Sequence, residues 1–144
     1  FLNGRRCGEE IRQPIVNQQV SPVAKIVEVR HFLKKKQREL AQSTSSVTEG
    51  RDIGTVVLPN ADLKIYLTAR PEVRAERRWK ELNDKGIDIS YQDVLKNVLE
   101  RDSIDSTRRE APLRPAEDAI IVDTSEMSIE EVVNFLYQKA VENG

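Results

Sequence analysis

Cysteine and histidine are almost absent from this 144-residue chain: Cys7 and His31 each stand alone. A single cysteine excludes an internal disulfide framework, and one cysteine with one histidine is too few for a closed metal site. The same scarcity argues against covalent catalysis by a Ser-His or Cys-His pair. No apolar run approaches the ~20 residues of a membrane-spanning helix. The opening Phe1-Leu2-Asn3-Gly4-Arg5-Arg6 lacks the apolar core of a secretory signal. Aromatic residues make up 5%, and 23 basic against 24 acidic side chains leave a net charge of −1, so bulk attraction to nucleic acid or to an anionic membrane is not expected. One motif is also missing: no glycine-rich phosphate loop ending in Lys and Ser or Thr occurs anywhere in the chain. These absences lead to the expectation of a protein of the reducing cytoplasm, without nucleic-acid or membrane partners.

What is present is enough for one globular domain, with 38% hydrophobic and 33% charged residues and no internal repeat. The first residue is Phe1 rather than methionine, and Asn3-Gly4 reads as a hairpin turn with only two residues before it, so the chain reads as beginning inside an element. Ser21 as N-cap and Pro22 at the first helical position predict an amphipathic helix through Val23, Ile26, Val27 and Leu33 to Leu40. A Ser/Thr loop at 43–46 separates it from a short strand, Ser46-Val47-Thr48-Glu49, ending in Gly50. Leu63, Ile65 and Leu67 alternate as a second strand. Pro71 opens a charged helix to about Lys85, and Tyr91, Val94, Leu95, Val98 and Leu99 mark another, before Pro112 and Pro115 break the chain. Ala119-Ile120-Ile121-Val122 is a third strand, and Ser128 with Glu131 forms a capping box for a last helix striped by Ile129, Val132, Val133, Leu136 and Tyr137. Strands alternating with helices predict an α/β fold, a parallel sheet flanked by helices.

Three groups of charges stand where the pattern does not need them. Helical periodicity puts Arg30 near the middle of the apolar stripe, where a guanidinium requires a carboxylate, carbonyls or a polar ligand; a structural ion pair and a ligand contact are equally good readings. Arg51-Asp52 follows a predicted strand between Gly50 and Gly54, where α/β sheets bind ligands, although a solvated tight turn would look the same. Arg101, Asp105 and Arg108 share one helix face over about two turns. Such a face suits a phosphorylated sugar, since arginine makes bidentate contacts to phosphate and aspartate accepts ribose hydroxyls; surface ion pairs are the plainer alternative. Arg74, Arg77 and Arg78 share another helix face beside Trp79, as a solvated surface often does. Together these groups provide cations and hydrogen-bonding carboxylates but no nucleophile, which fits phosphoryl transfer by positioning and charge neutralisation.

The sequence resembles the bacterial cytidylate kinases, nucleoside monophosphate kinases of the P-loop type. The resemblance rests on Gly8-Glu9-Glu10-Ile11-Arg12, Ser21, Val29-Arg30, the block from Glu49-Gly50-Arg51-Asp52 to Leu58-Pro59, Arg74-Ala75-Glu76-Arg77-Arg78, and Glu100-Arg101-Asp102 with Asp105, Arg108 and Ala111-Pro112-Leu113. It covers essentially the whole chain. It implies that Ser21, Arg30 and Asp52 surround the cytosine, that Arg101 and Asp105 hold the sugar, and that Arg51 and Arg108 lie near the CMP phosphate, so that Arg51, Arg101 and Arg108 would assist transfer. Arg77 and Arg78 match arginines that approach the ATP phosphates. The implied reaction passes the γ-phosphoryl group of ATP to CMP or dCMP. Magnesium would bind mainly through the nucleotides, water and a phosphate loop, with no metal ligand expected from these residues.

The chain departs from that family in lacking the P-loop strand, which the resemblance would place between the strands at 46–49 and 63–67. The expectation is an incomplete P-loop kinase fold: residues 1–20 ending the NMP-binding insertion, 21–144 forming the core with a lid around 100–112, and a missing N-terminal segment needed for activity. A non-catalytic CMP-binding module is the alternative. A nucleic-acid track through Lys34-Lys35-Lys36, Arg38 and the 74–78 arginines is disfavoured by the balanced charge.

Overall fold

A proline and an extended isoleucine divide the first long apolar pattern into two helices. The computed structural model describes residues 4–12, 14–24, 26–107 and 112–143, and the chain divides into two compact units, Phe1–Val47 and Thr48–Gly144. In the first, a 3-10 turn at Glu9–Arg12 precedes α1 (Pro14–Ala24) and α2 (Val27–Ser43), and α1 packs against both. Ser21 and Pro22 therefore lie inside α1 and do not start a helix, contrary to the sequence expectation. Proline cannot donate to the helical ladder and crowds the preceding turn, and α1 ends two residues beyond it, at Ala24. Ile26, extended at φ −72 and ψ 116, then begins α2 without a side-chain cap. Arg30 is half-buried, whereas Val23, Ile26, Val27, Leu33 and Leu40 of the expected inward stripe are exposed. Gly4 has the positive φ, 78, that a hairpin turn requires; Asn3 lies outside the described residues.

In the second unit two short apolar runs pair in parallel. β1 (Ile65–Thr68) and β2 (Ile120–Asp123) are in register from Ile65 against Ile120 to Thr68 against Asp123. Parallel strands require a crossover, and here it consists of α3 (Pro71–Asp84) and α4 (Tyr91–Thr107). α5 (Ile129–Glu142) follows β2. Both strands, the extent of α3 and the starts of α4 and α5 match the predicted ones to within one or two residues, while α4 and α5 run on past the last marked residues, Leu99 and Tyr137. Pro71 opens α3 as expected. Gly86, at φ 74, closes it: its N–H donates to Asn83 O at 2.8 Å and that of Ile87 to Leu82 O at 3.0 Å, the Schellman arrangement that only a left-handed residue permits. Ser128 and Glu131 form both halves of the predicted capping box.

Residues 46–49, expected as a strand, have no ladder partner, and the sheet among the described residues has two strands. A strand exists only through its neighbour's hydrogen bonds, so a fitting sequence is not sufficient. The buried apolar residues here are small: Val57, Ala69, Ala75, Val94 and Val122. Leu67 and Ile121 on the sheet, and Ile129, Val133 and Tyr137 on α5, are exposed. No described helix is long and apolar enough to cross a membrane.

α3 packs on α4, and Ala75 is wholly buried. Close-packed helices leave no room for added methyl groups. Ala75→Leu should therefore destabilise the protein by about 1–3 kcal/mol, read as a lower urea midpoint; an unchanged midpoint would mean that the two helices leave a void there.

Candidate functional site

The Gly-Arg-Asp turn is built by its backbone. Directly after Asp52 the chain makes one π-helical turn, Ile53–Val57. The Asp52 carbonyl accepts the N–H groups of Val56 at 2.8 Å and Val57 at 3.1 Å, with the Thr55 hydroxyl at 3.4 Å, and Leu58 N–H donates to Ile53 O at 2.7 Å. Single π turns are rare and concentrate at functional sites. Gly50 is required by proximity, since a Cβ there would stand 2.8 Å from Ile53 Cγ1. The turn thus fixes the origins of the Arg51 and Asp52 side chains.

Arg51 meets α4. Its Nε lies 3.3 Å from Asp105 Oδ2, joining the turn to a helix more than fifty residues on; the Asp105 side chain is only 15% exposed. The Asp105 carbonyl also accepts Leu113 N–H at 2.8 Å, which ties the chain beyond α4 back to it. Three residues earlier, Asp102 takes a two-pronged contact from Arg74, with Nη1 to Oδ1 at 2.8 Å and Nη2 to Oδ2 at 2.6 Å, while Arg74 Nε donates to Ala69 O at 2.9 Å. Ala69 immediately follows β1, so this set lies at the carboxyl end of the sheet, where α/β folds place their sites. The Arg74 guanidinium holds the Asp102 carboxyl below the usual carboxylate range, and the charges of Arg51 and Arg101 add to the effect.

The sequence candidates are thus distributed as follows. Arg51 and Asp105 are in contact, Arg101 is exposed on α4 near Asp102, and Asp52 is half-buried beside Arg51. Arg30 belongs to the first unit, on α2. The Ser21 side chain and all of Arg108 lie outside what the structure describes. Arg77 engages the loop after β2, donating to Thr124 Oγ1 at 3.1 Å, Thr124 O at 2.6 Å and Met127 O at 3.3 Å. Arg78 pairs with Glu81 at 2.6 Å on the helix surface. Glu81 also accepts Lys85, and the two cations draw its carboxyl down to about 2.

Sequence reasoning missed the Arg74–Asp102 fork, because pairing across 28 residues leaves no periodic trace. It also missed Thr124, which is buried and closes the strand ends through N–H and hydroxyl bonds to Thr68 O at 2.8 and 3.1 Å. An apolar cleft of about 360 Å³ opens beside it, walled by Leu67, Arg77, Met127, Ile129 and Val133.

Comparison with known proteins gives this geometry a family. The family model described as Cytidylate kinase matches residues 1–142. The chain is 53% identical over 133 residues to the cytidylate kinase of Thermosipho melanesiensis, covering 92% of this chain and 61% of that protein. It is 49% identical over 143 residues to that of Caldanaerobacter subterraneus subsp. tengcongensis, covering 99% and 64%. A Clostridium botulinum cytidylate kinase is 52% identical over 134 residues, covering 93% and 62%. The chain thus spans a little over three-fifths of the length of these relatives.

The depressed Asp102 carboxyl links the fork to acid stability. A carboxylate whose folded pKa lies below its unfolded value stabilises the fold above the unfolded pKa and loses that contribution as pH falls through the folded one. Asp102→Asn should therefore lower stability near neutral pH, by on the order of 1 kcal/mol or less after solvent screening. The gap to the parent protein should close below the ordinary aspartate range. Urea unfolding at neutral and strongly acidic pH checks this; a gap that persists in acid would assign the stabilisation to shape rather than charge.

Proposed function

The chain belongs to the cytidylate kinase family, and from that premise we propose that it forms the acceptor side of an enzyme that passes the γ-phosphoryl group of ATP to CMP or dCMP, giving CDP or dCDP. The observation that carries the reading is the Arg51–Asp105 contact at 3.3 Å, which brings the Gly-Arg-Asp turn and the Arg101–Asp105 helix face together at the carboxyl end of the sheet. Two stretches far apart in sequence thereby contribute to one polar site.

In this reading Asp52, with Arg30 and Ser21, hydrogen-bonds the cytosine; Arg101 and Asp105 hold the sugar. Arg51 and Arg108 neutralise the CMP phosphate, and Arg51, Arg101 and Arg108 meet the charge that spreads over the transferring group. Preplaced guanidinium groups act there without reorganisation. Arg77 and Arg78 face the ATP phosphates, which requires Arg77 to exchange its bonds to Thr124 and Met127 for phosphate oxygens. Magnesium is taken to bind mainly through the nucleotides, water and a phosphate loop. When bound to the nucleotides it neutralises phosphate charge.

The reaction also needs a glycine-rich phosphate loop, absent from these residues. Two features support a strand and helix docking beside β1 to provide it. Among the described residues β1 pairs only with β2, and Leu67, Ile129 and Val133 present exposed apolar surface next to it. Unpaired edges and apolar faces favour such additions. The cytoplasm, where both nucleotides are abundant, is the proposed location.

The 144 residues alone are expected to yield no CDP from CMP and ATP, and to yield it when a phosphate-loop segment is joined to them; turnover by the segment alone would refute the division of labour. In the joined protein, Asp52→Ala should reduce the preference for CMP over UMP by about tenfold or more, because a wrong base no longer leaves a carboxylate unpaired. Competition kinetics with both nucleotides measure it, and an unaltered preference would remove Asp52 from the base site.

A further inference from the structure

Arg74 is the one arginine of the 74–78 block that the proposed reaction leaves unused, and it is held by the most directional contacts. Its fork spends two donors on the two oxygens of Asp102 and a third on the Ala69 carbonyl. One planar group thus ties the end of β1, the first turn of α3 and the second half of α4. Exposed ion pairs contribute little on average, but bidentate geometry with a third bond to backbone fixes direction as well as distance. Both side chains are 36% exposed, so the pair is only partly shielded from solvent and salt.

Among the described residues, apolar packing holds the second half of α4 only weakly, and its polar anchors are this fork and the contacts of Asp105 with Arg51 and Leu113. Val94, near its start, is the helix's buried residue, while Leu99 and Ile104 are 49% and 62% exposed. Each residue turns a helix by about 100°, so holding the Asp102 carboxylate sets the rotation of α4 there. It thereby sets the directions in which its neighbour Arg101 and, three residues on, Asp105 leave the helix.

We propose that Arg74 is a positioning residue for the acceptor nucleotide: through Asp102 it orients Arg101 and Asp105, and it does not itself touch CMP. This rests on the sugar-binding role given to Arg101 and Asp105 above. A positioning error of this kind weakens one substrate selectively, whereas a loss of general stability lowers the amount of active protein and leaves both KM values in place.

The test is steady-state kinetics of the protein as its gene encodes it, with CMP and ATP varied in turn and thermal unfolding recorded alongside. Arg74→Met and Asp102→Asn should each raise the KM for CMP by about tenfold and leave that for ATP within about twofold. The double variant should be no worse than either single one, because both break the same contact. Arg74→Lys, which keeps the charge but cannot span both oxygens and the carbonyl, should stay impaired. An unchanged KM for CMP in Arg74→Met, or equal rises for CMP and ATP, would overturn the inference. So would loss of the cooperative unfolding transition in both single variants, since the pair would then be purely structural. Parent protein that turns over CMP while the variants behave like it defeats this inference alone; parent protein that neither binds nor phosphorylates CMP defeats the functional reading and this inference with it.

Discussion

Parallel pairing of β1 with β2 is the constraint from which the placement of the polar site follows. Two strands running the same way cannot be joined by a tight turn, so the chain leaves β1 at Thr68 and passes through both helices before Ile120. α3 must therefore start at the carboxyl end of the sheet. Its first turns are where α4 crosses it: the Tyr91 hydroxyl reaches Glu72 O at 3.4 Å, and Arg74 reaches Asp102. Residues 101–105 are thus carried to the strand ends by the crossover itself. The same end receives Thr124, whose bonds to Thr68 finish the ladder and whose hydroxyl and carbonyl accept Arg77.

The elements of this crossover were legible because each has a local signature. Pro71 opens α3, Ser128 and Glu131 box the start of the α5 that follows β2, and the strands are short apolar runs. Where the reading failed, the deciding term was not local. Val23, Ile26 and Val27 keep helical spacing straight through the break at Ile26, so period alone could not see the effect of Pro22. Val47 and its neighbours have strand composition, but pairing depends on a partner. At the site, Arg51 and Asp105 were legible as residues, whereas their contact across 54 positions of sequence was not.

The charges at this end accord with the proposed reading, in which the guest is a mononucleotide and not a polymer. Arg51, Arg74 and Arg101 surround two carboxylates, Asp102 and Asp105. The aspartates offset much of the positive field, so long-range attraction for polyanions stays weak, in keeping with a net charge of −1. Close contact still offers forked donors and an acceptor within one turn of a helix, a short-range pattern that suits a phosphorylated sugar.

Why direction here comes from hydrogen bonds rather than from packing is a matter of size. Among the described residues, Val57, Ala69, Ala75, Val94 and Val122 are the buried apolar ones, and none of them is large. Burial of small aliphatic groups favours contact between α3 and α4 but barely discriminates among rotations of one helix on the other, because the hydrophobic effect is non-directional. A guanidinium fork does discriminate: its donors are coplanar and its acceptors must be too. Replacing the Arg74–Asp102 pair by apolar residues of similar volume could preserve the attachment of the helices. It would not preserve the angle at which Arg101 and Asp105 leave the helix, and in the proposed reading that angle is what the site has to control.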